Sequence, residues 1–181
     1  MCIRDRFGGL RKGRYYGLVS VDALSKGLDI PEIMGDIIAE WEMRTHAEFG
    51  GPVRTLVFAP TVNYAANLVG SFQERGWSFG LVSYRDTYGE RQEKLDGLRK
   101  GRYYGLVSVD ALSKGLDIPE IMCLSTVRAY KKSLAAWIQT LGRGMRAAPG
   151  KKKCLLLDHS GNWMRHFERT MTFWNLSLIH I

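Results

Sequence analysis

Gln139, Arg143 and Arg146 stand at spacings of four and three, and residues three or four apart on a helix share one face. Two planar guanidiniums aimed at a single target suit a phosphoryl group, because each offers a rigid fork of N–H donors that matches phosphate oxygens. A second group, Asp110, Gly115 and Asp117, follows the apolar run 103–109. On their own the two carboxylates read as strand-end caps and turn formers. Thr61 follows Pro60 at the start of a helical run. A hydroxyl there caps the helix, and the unpaired amides beside it suit an anion.

These residues need elements to hold them, and the chain alternates strand and helix periods from residue 35 onward. Residues 36–46 carry Ile37, Ile38, Trp41 and Met43 at helical spacing, and Gly50-Gly51-Pro52 ends the run. Strands are predicted over 54–59, 77–84, 103–109, 121–128 and 153–157, and helices over 63–75, 90–100 and 133–145, with one short turn at 111–114. Five strands separated by helices predict an α/β fold with a parallel sheet and right-handed crossovers. The residues after Asp158, His159-Ser160-Gly161-Asn162, read as a strand-end loop.

The whole sequence has 181 residues, 45% of them hydrophobic, which is enough for one ordinary core. Its formal net charge of +8 favours a polyanionic partner. No apolar run is long enough to span a bilayer and no signal-peptide pattern opens the chain, so a cytoplasmic protein without a membrane partner is expected. Cys123 and Cys154 lie in strand-like runs without ligand spacing, and read as buried thiols in a reducing compartment. No metal site is expected from the sequence.

Two features stand apart from the fold. Residues 1–6 (Met-Cys-Ile-Arg-Asp-Arg) can be encoded by ATGTGTATAAGAGACAG plus one base, and the reverse complement encodes residues 176–181 (Leu-Ser-Leu-Ile-His-Ile). Both ends therefore read as translated sequencing adapter. Residues 9–34 recur without one change at 97–122. Repeat architectures diverge in sequence and cover the chain in several units. An identical, single copy with different flanks reads as a chimera over 7–34, leaving 35–175 as the authentic domain.

Three segments in order resemble the C-terminal RecA-like half of superfamily 2 DEAD/DExH helicases. RTLVFAPTVNYAANL resembles motif IV, GERQEKLDGLRKGRYYGLVSVDALSKGLDIP resembles motif IVa running into motif V, and WIQTLGRGMRAAPGKK resembles motif VI. The resemblance covers about residues 55–158 and implies an ATP-dependent helicase or translocase. It implies Arg146 as arginine finger with Arg143 as its partner, since a planar cation stabilises charge that develops on transferring phosphoryl oxygens. It implies Gln139 for positioning the attacking water, Gly115, Asp117 and Gly142 for binding ATP, and Thr61, Arg91, Ser108 and Asp110 for DNA or RNA.

One departure is visible. Relatives place a hydroxyl just before the motif V acid, where this chain has Val109; Ser108 is one residue off and belongs to the opposite strand face. A glutamine at the head of motif VI leans toward DExH-type members. The sequence holds no G-x-x-x-x-G-K-[ST] loop and no Asp-Glu pair. The resemblance therefore implies that the phosphate cradle and Mg²⁺ ligands belong to an N-terminal RecA-like domain of the same protein, and that this piece alone does not hydrolyse ATP. The alternative is a stand-alone nucleic-acid-binding module of RecA-like fold.

Overall fold

The computed structural model describes residues 31–110 and 118–166. Along the chain these form α1 (Pro31–Phe49), β1 (Thr55–Phe58), α2 (Val62–Glu74), β2 (Phe79–Ser83), α3 (Tyr88–Arg99), β3 (Gly105–Val109), β4 (Cys123–Thr126), α4 (Leu134–Gly144) and β5 (Leu155–Asp158). Gly115, Asp117, the turn expected at 111–114, the first copy up to residue 30 and both ends of the chain lie outside the described residues.

All strand pairings are parallel and the order is β2-β3-β1-β4-β5. Parallel neighbours cannot be joined by tight hairpins, and the described helices cover both faces of the sheet. Alternation along the strands sorts the side chains into two layers. Val57, Val107, Val109, Cys123, Leu155 and Leu157 face α1 and α2, where Trp41, Tyr64, Leu68 and Phe72 complete one core. Leu56, Phe58, Leu106, Leu124 and Leu156 face the other way, onto Leu95 and Leu98 of α3 and Trp137 and Leu141 of α4. The α/β fold with a parallel sheet expected from the alternating periods is the one observed.

Trp41 ties α1 to the sheet. Its indole N–H donates to Thr55 Oγ1 at 2.8 Å, and its ring meets Phe72, Trp77 and Phe79 edge-on at 5.3–5.5 Å. A buried tryptophan is stable there because its one polar group is satisfied. The helix begins at Pro31, five residues earlier than the periodicity from Asp36 predicts. Proline suits a first helical turn, since its missing N–H would have no intrahelical partner. The same four residues, Pro-Glu-Ile-Met, are helical at 31–34 and non-helical at 119–122, so flanking context overrides local preference. Inside the sheet the second copy supplies β3, between β1 and β2.

α4 is fixed by its neighbours at both ends. Ser133 caps its start, accepting from the Ala136 amide at 3.1 Å. In its last turn Gly144 packs so closely on β4 and the segment before β5 that an added Cβ would fall 2.7 Å from Cys154 Sγ and 2.7 Å from Leu124 Cδ1. That approach holds the helix, and Arg143 with it, against the sheet.

Among the described residues no helix is long and apolar enough to cross a membrane. The cysteine expectation is met in geometry: Cys123 is buried and Cys154 half-buried, both free. Burial holds the Cys154 thiol up at about 11, so it is not a thiolate at neutral pH.

Candidate functional site at the carboxyl ends of the strands

In open parallel sheets ligands bind beyond the carboxyl ends of the strands, where the strand order reverses. Here that point is the carboxyl end of β1, flanked by β3 on one side and β4 on the other. A cleft of about 100 Å³ opens there, lined by Phe58, Ser108, Asp110, Arg128, Tyr130, Gln139 and Arg143 among others. A whole small-molecule ligand typically needs several hundred Å³. The cleft is therefore sized for a phosphate group rather than a complete nucleotide.

Four residues singled out in the sequence meet in this cleft: Ser108, Asp110, Gln139 and Arg143. Ser108 is 1% exposed and its hydroxyl has no hydrogen-bond partner. Strand alternation turns Val109 into the α1/α2 core and leaves Ser108 as the hydroxyl on the cleft side. An orphaned polar group in a buried position is costly, and a ligand oxygen would relieve it. Asp110 has φ of +53°, a left-handed backbone that a non-glycine residue rarely adopts. Its carboxylate pairs with the Arg128 guanidinium, across the ends of β3 and β4.

Arg143 lies in the last turn of α4, half-buried. Burial lowers its pKa, and the nearby Arg146 charge lowers it further. An anion entering the cleft would be attracted to both. The two arginines do not, however, share a helix face as their spacing suggests. α4 stops at Gly144 with Met145 as its cap, so Arg146 stands beyond the helix. Pro149 keeps the helix from resuming through this segment, because a proline disfavours helical backbone just before it and donates no N–H. Arg146 is exposed and lines a second, shallower groove with Lys151, Lys152 and Lys153. Lys151 Nζ donates to the Arg146 carbonyl at 3.0 Å and to the Pro119 carbonyl at 2.9 Å. That ammonium joins the end of the motif V stretch to the second arginine of the motif VI stretch.

The other expected residues lie apart. Thr61 is the N-cap of α2, its hydroxyl oxygen accepting from the Tyr64 amide at 3.2 Å. Arg91 lies in α3, half-buried, with Nη2 3.5 Å from the Asp86 carbonyl. Gly142 is exposed on α4 with nothing within 4 Å of a built Cβ. Packing within this chain therefore places no demand for glycine at 142, in contrast to Gly144.

Sequence reasoning missed Arg128 and Tyr130, and it missed what holds them. The loop after β4 is gripped by the segment after β5. The Ser160 hydroxyl and the Asn162 amide donate to the Arg128 carbonyl at 2.8 and 2.9 Å. The Tyr130 amide donates to Asn162 Oδ1 at 2.7 Å, and His166 Nε2 to the Tyr130 carbonyl at 2.7 Å. Asp158 anchors that segment, accepting from the Thr126 hydroxyl at 2.9 Å and the Trp163 amide at 2.6 Å. The polar run 158–162 was the signal in the sequence, but its partners are some thirty residues away. Beside it, His159 is wholly buried, and desolvation depresses its pKa to about 4, so it is neutral at physiological pH. No cluster of His, Cys, Asp and Glu among the described residues could hold a metal ion.

Comparison with known proteins agrees with this architecture. The family "Helicase conserved C-terminal domain" matches residues 43–148. A 51.5 kDa protein of a Lactococcus phage (isolate 7-9) is 27% identical over 161 residues, covering 87% of this chain and 32% of the phage protein. UvrABC system protein B of Thermus thermophilus is 36% identical over 102 residues, covering 54% of this chain and 15% of the relative. The chain thus spans about a third or less of the length of these curated relatives. Among solved structures, S. cerevisiae Dbp5 bound to RNA and ADP BeF3 superposes with a TM-score of 0.60 at 19% identity, covering 77% of this chain and 36% of that one. That likeness is one of fold. With five parallel strands, helices on both faces and a matching family over residues 43–148, the chain belongs to the helicase conserved C-terminal domain family.

Proposed function

We propose that this chain is the C-terminal RecA-like half of an ATP-dependent nucleic-acid helicase or translocase, contributing part of an ATP site that a second, N-terminal RecA-like domain completes. The observation that carries this reading is the convergence of Ser108, Asp110, Gln139 and Arg143 on one phosphate-sized cleft at the switch point of the sheet. A cleft this small fits one side of a composite site.

In this reading Arg146 is the arginine finger and Arg143 its partner. The half-buried Arg143 guanidinium meets phosphate oxygens from within the cleft, and Arg146 reaches them from the exposed end of the motif VI segment. Gln139, exposed on the same side of α4 as Arg143, orients the attacking water. ATP supplies the phosphoryl group, with Mg²⁺ neutralising its charge. Asp110 with Ser108, Thr61 and Arg91 form the side facing DNA or RNA, while Gly115, Asp117 and Gly142 approach the nucleotide. Gly142 supports this by lying open on the helix surface, where a second domain could come close. The Dbp5 neighbour was solved with RNA and a nucleotide analogue, which supports the pairing of ligands proposed here. Residues 1–6 and 176–181 are taken as adapter translation and 7–34 as a chimeric copy, a reading supported by the place of the second copy in β3.

The net charge of +8 alone would also suit a stand-alone nucleic-acid-binding module. ATP turnover by the purified chain separates these readings from a self-sufficient enzyme. The chain is expected to show none above background, with or without nucleic acid. Turnover that Arg146→Ala abolishes would contradict the half-site.

A further inference from the structure

We infer that Arg128 and Tyr130 are positioning residues that couple the end of β3 to α4, so that an event at Asp110 is transmitted to the helix carrying Gln139 and Arg143; this rests on the proposed nucleic-acid and ATP roles of those two places. Neither residue belongs to the motifs recognised in the sequence.

The connection is physically continuous. The Asp110 carboxylate pairs with the Arg128 guanidinium, which lies 5.6 Å from the centre of the Tyr130 ring. The Tyr130 and Thr140 hydroxyls are 2.9 Å apart. The Thr140 hydroxyl has one proton, and the Ala136 carbonyl 2.9 Å away can only accept it. Thr140 Oγ1 thus links the Tyr130 hydroxyl to the backbone of α4. Thr140 sits in α4 beside Gln139 and within one turn of Arg143, and the Tyr130 ring also packs on Trp137 of the same helix at 6.0 Å.

Two further features make this chain of contacts a transmitter. Its middle is rigid: both main-chain polar groups of Tyr130 and the carbonyl of Arg128 are held by Ser160, Asn162 and His166. Its outer end is strained, because Asp110 keeps a left-handed backbone in a residue with a Cβ. A ligand that competes for either partner of the Asp110–Arg128 pair releases that constraint. The response then passes through the Tyr130 ring and hydroxyl into α4. Coupling claimed from contiguity alone needs a measured coupling.

The measurement is amide hydrogen exchange of the chain with and without a single-stranded oligonucleotide, DNA and RNA in separate arms. Tyr130→Phe is the main variant, since it removes only the hydroxyl and keeps the ring and every main-chain contact. Arg128→Gln breaks the other end. In the native chain, oligonucleotide binding is expected to slow exchange in residues 134–144 by about threefold or more, within the range that network mutations modulate. Tyr130→Phe should lose that protection while its affinity stays within about twofold; Arg128→Gln should lose it at saturating oligonucleotide whatever its affinity, and thermal unfolding of both should stay cooperative. The double variant should be no worse than either single, because the two links act in series. Binding with undiminished protection of α4 in Tyr130→Phe and Arg128→Gln, or losses that add independently, would overturn the inference. Failure of the native chain to bind either oligonucleotide would instead overturn the nucleic-acid reading beneath it.

Discussion

Replacing Arg146 by lysine in a protein that joins this domain to the proposed N-terminal RecA-like domain is expected to lower kcat at least about a hundredfold, with nucleic-acid affinity preserved. What decides the effect is where charge appears. During phosphoryl transfer it develops on the equatorial and leaving oxygens, and arginine fingers contribute about 10³ to 10⁵ in rate by meeting it there. Lysine keeps the charge but presents a point rather than a planar fork. A residue that only grips bound ATP would raise KM and spare kcat. Steady-state kinetics of Arg146→Lys and Arg146→Ala beside Arg143→Lys decide between these. The comparison matters because Arg143 lies in the cleft whereas Arg146 follows the end of α4. If Arg143→Lys loses the hundredfold and Arg146→Lys stays near normal, the finger is Arg143.

Asp158→Ala is expected to cost on the order of 3–5 kcal/mol of folding stability, a large part of what a domain of this size possesses. The carboxylate is 2% exposed. It accepts from the Thr126 hydroxyl and the Trp163 amide, with Asn162 Nδ2 at 3.2 Å and the Ser160 amide at 3.3 Å. Truncation leaves several buried donors without an acceptor, and each such group costs more than an ordinary hydrogen bond returns. Asp158→Asn keeps the shape and one acceptor oxygen, so its loss should be smaller. Denaturant unfolding at constant m-value measures both. A midpoint for the alanine variant equivalent to less than about 1 kcal/mol of loss would mean that water replaces the carboxylate and that the loop after β4 is not anchored through it.

The contrast between these two residues explains what could be read from the sequence. Strand positions follow from apolar runs bounded by Gly and Pro, such as the run ending at Ala59-Pro60 before Thr61, and all five predicted strands are present, offset by no more than two or three residues at any end. A local rule places Thr61 as a helix cap, because a cap binds an amide three residues away, and the structure adds Thr87 and Ser133 in the same role. Period two in β3 is enough to put Ser108 and Val109 on opposite faces.

Contacts between distant segments follow no such rule. Nothing near Asn162 in the sequence points to Arg128 or Tyr130, yet the sheet order places β4 beside β5 and makes that loop and that tail neighbours. Arg146 failed the shared-face expectation for a local reason. Gly144 is pressed against Leu124 and Cys154 at the helix end, and Arg146 lies past the Met145 cap. α1 shows the converse: Pro31 belongs to a helix although its four-residue stretch is non-helical in the second copy.

The central claim is that this domain supplies one side of an ATP site to another RecA-like domain, and complementation in trans tests it most directly. The chain is mixed with a separately produced N-terminal RecA-like domain from the same source, and ATP turnover is measured with each alone and with both, in the presence of nucleic acid. Turnover is expected only in the mixture, rising to saturation with this chain, and falling at least about a hundredfold when the added chain carries Arg143→Ala and Arg146→Ala together. Equal turnover by the N-terminal domain alone, or a mixture indifferent to the loss of both arginines, would contradict the account.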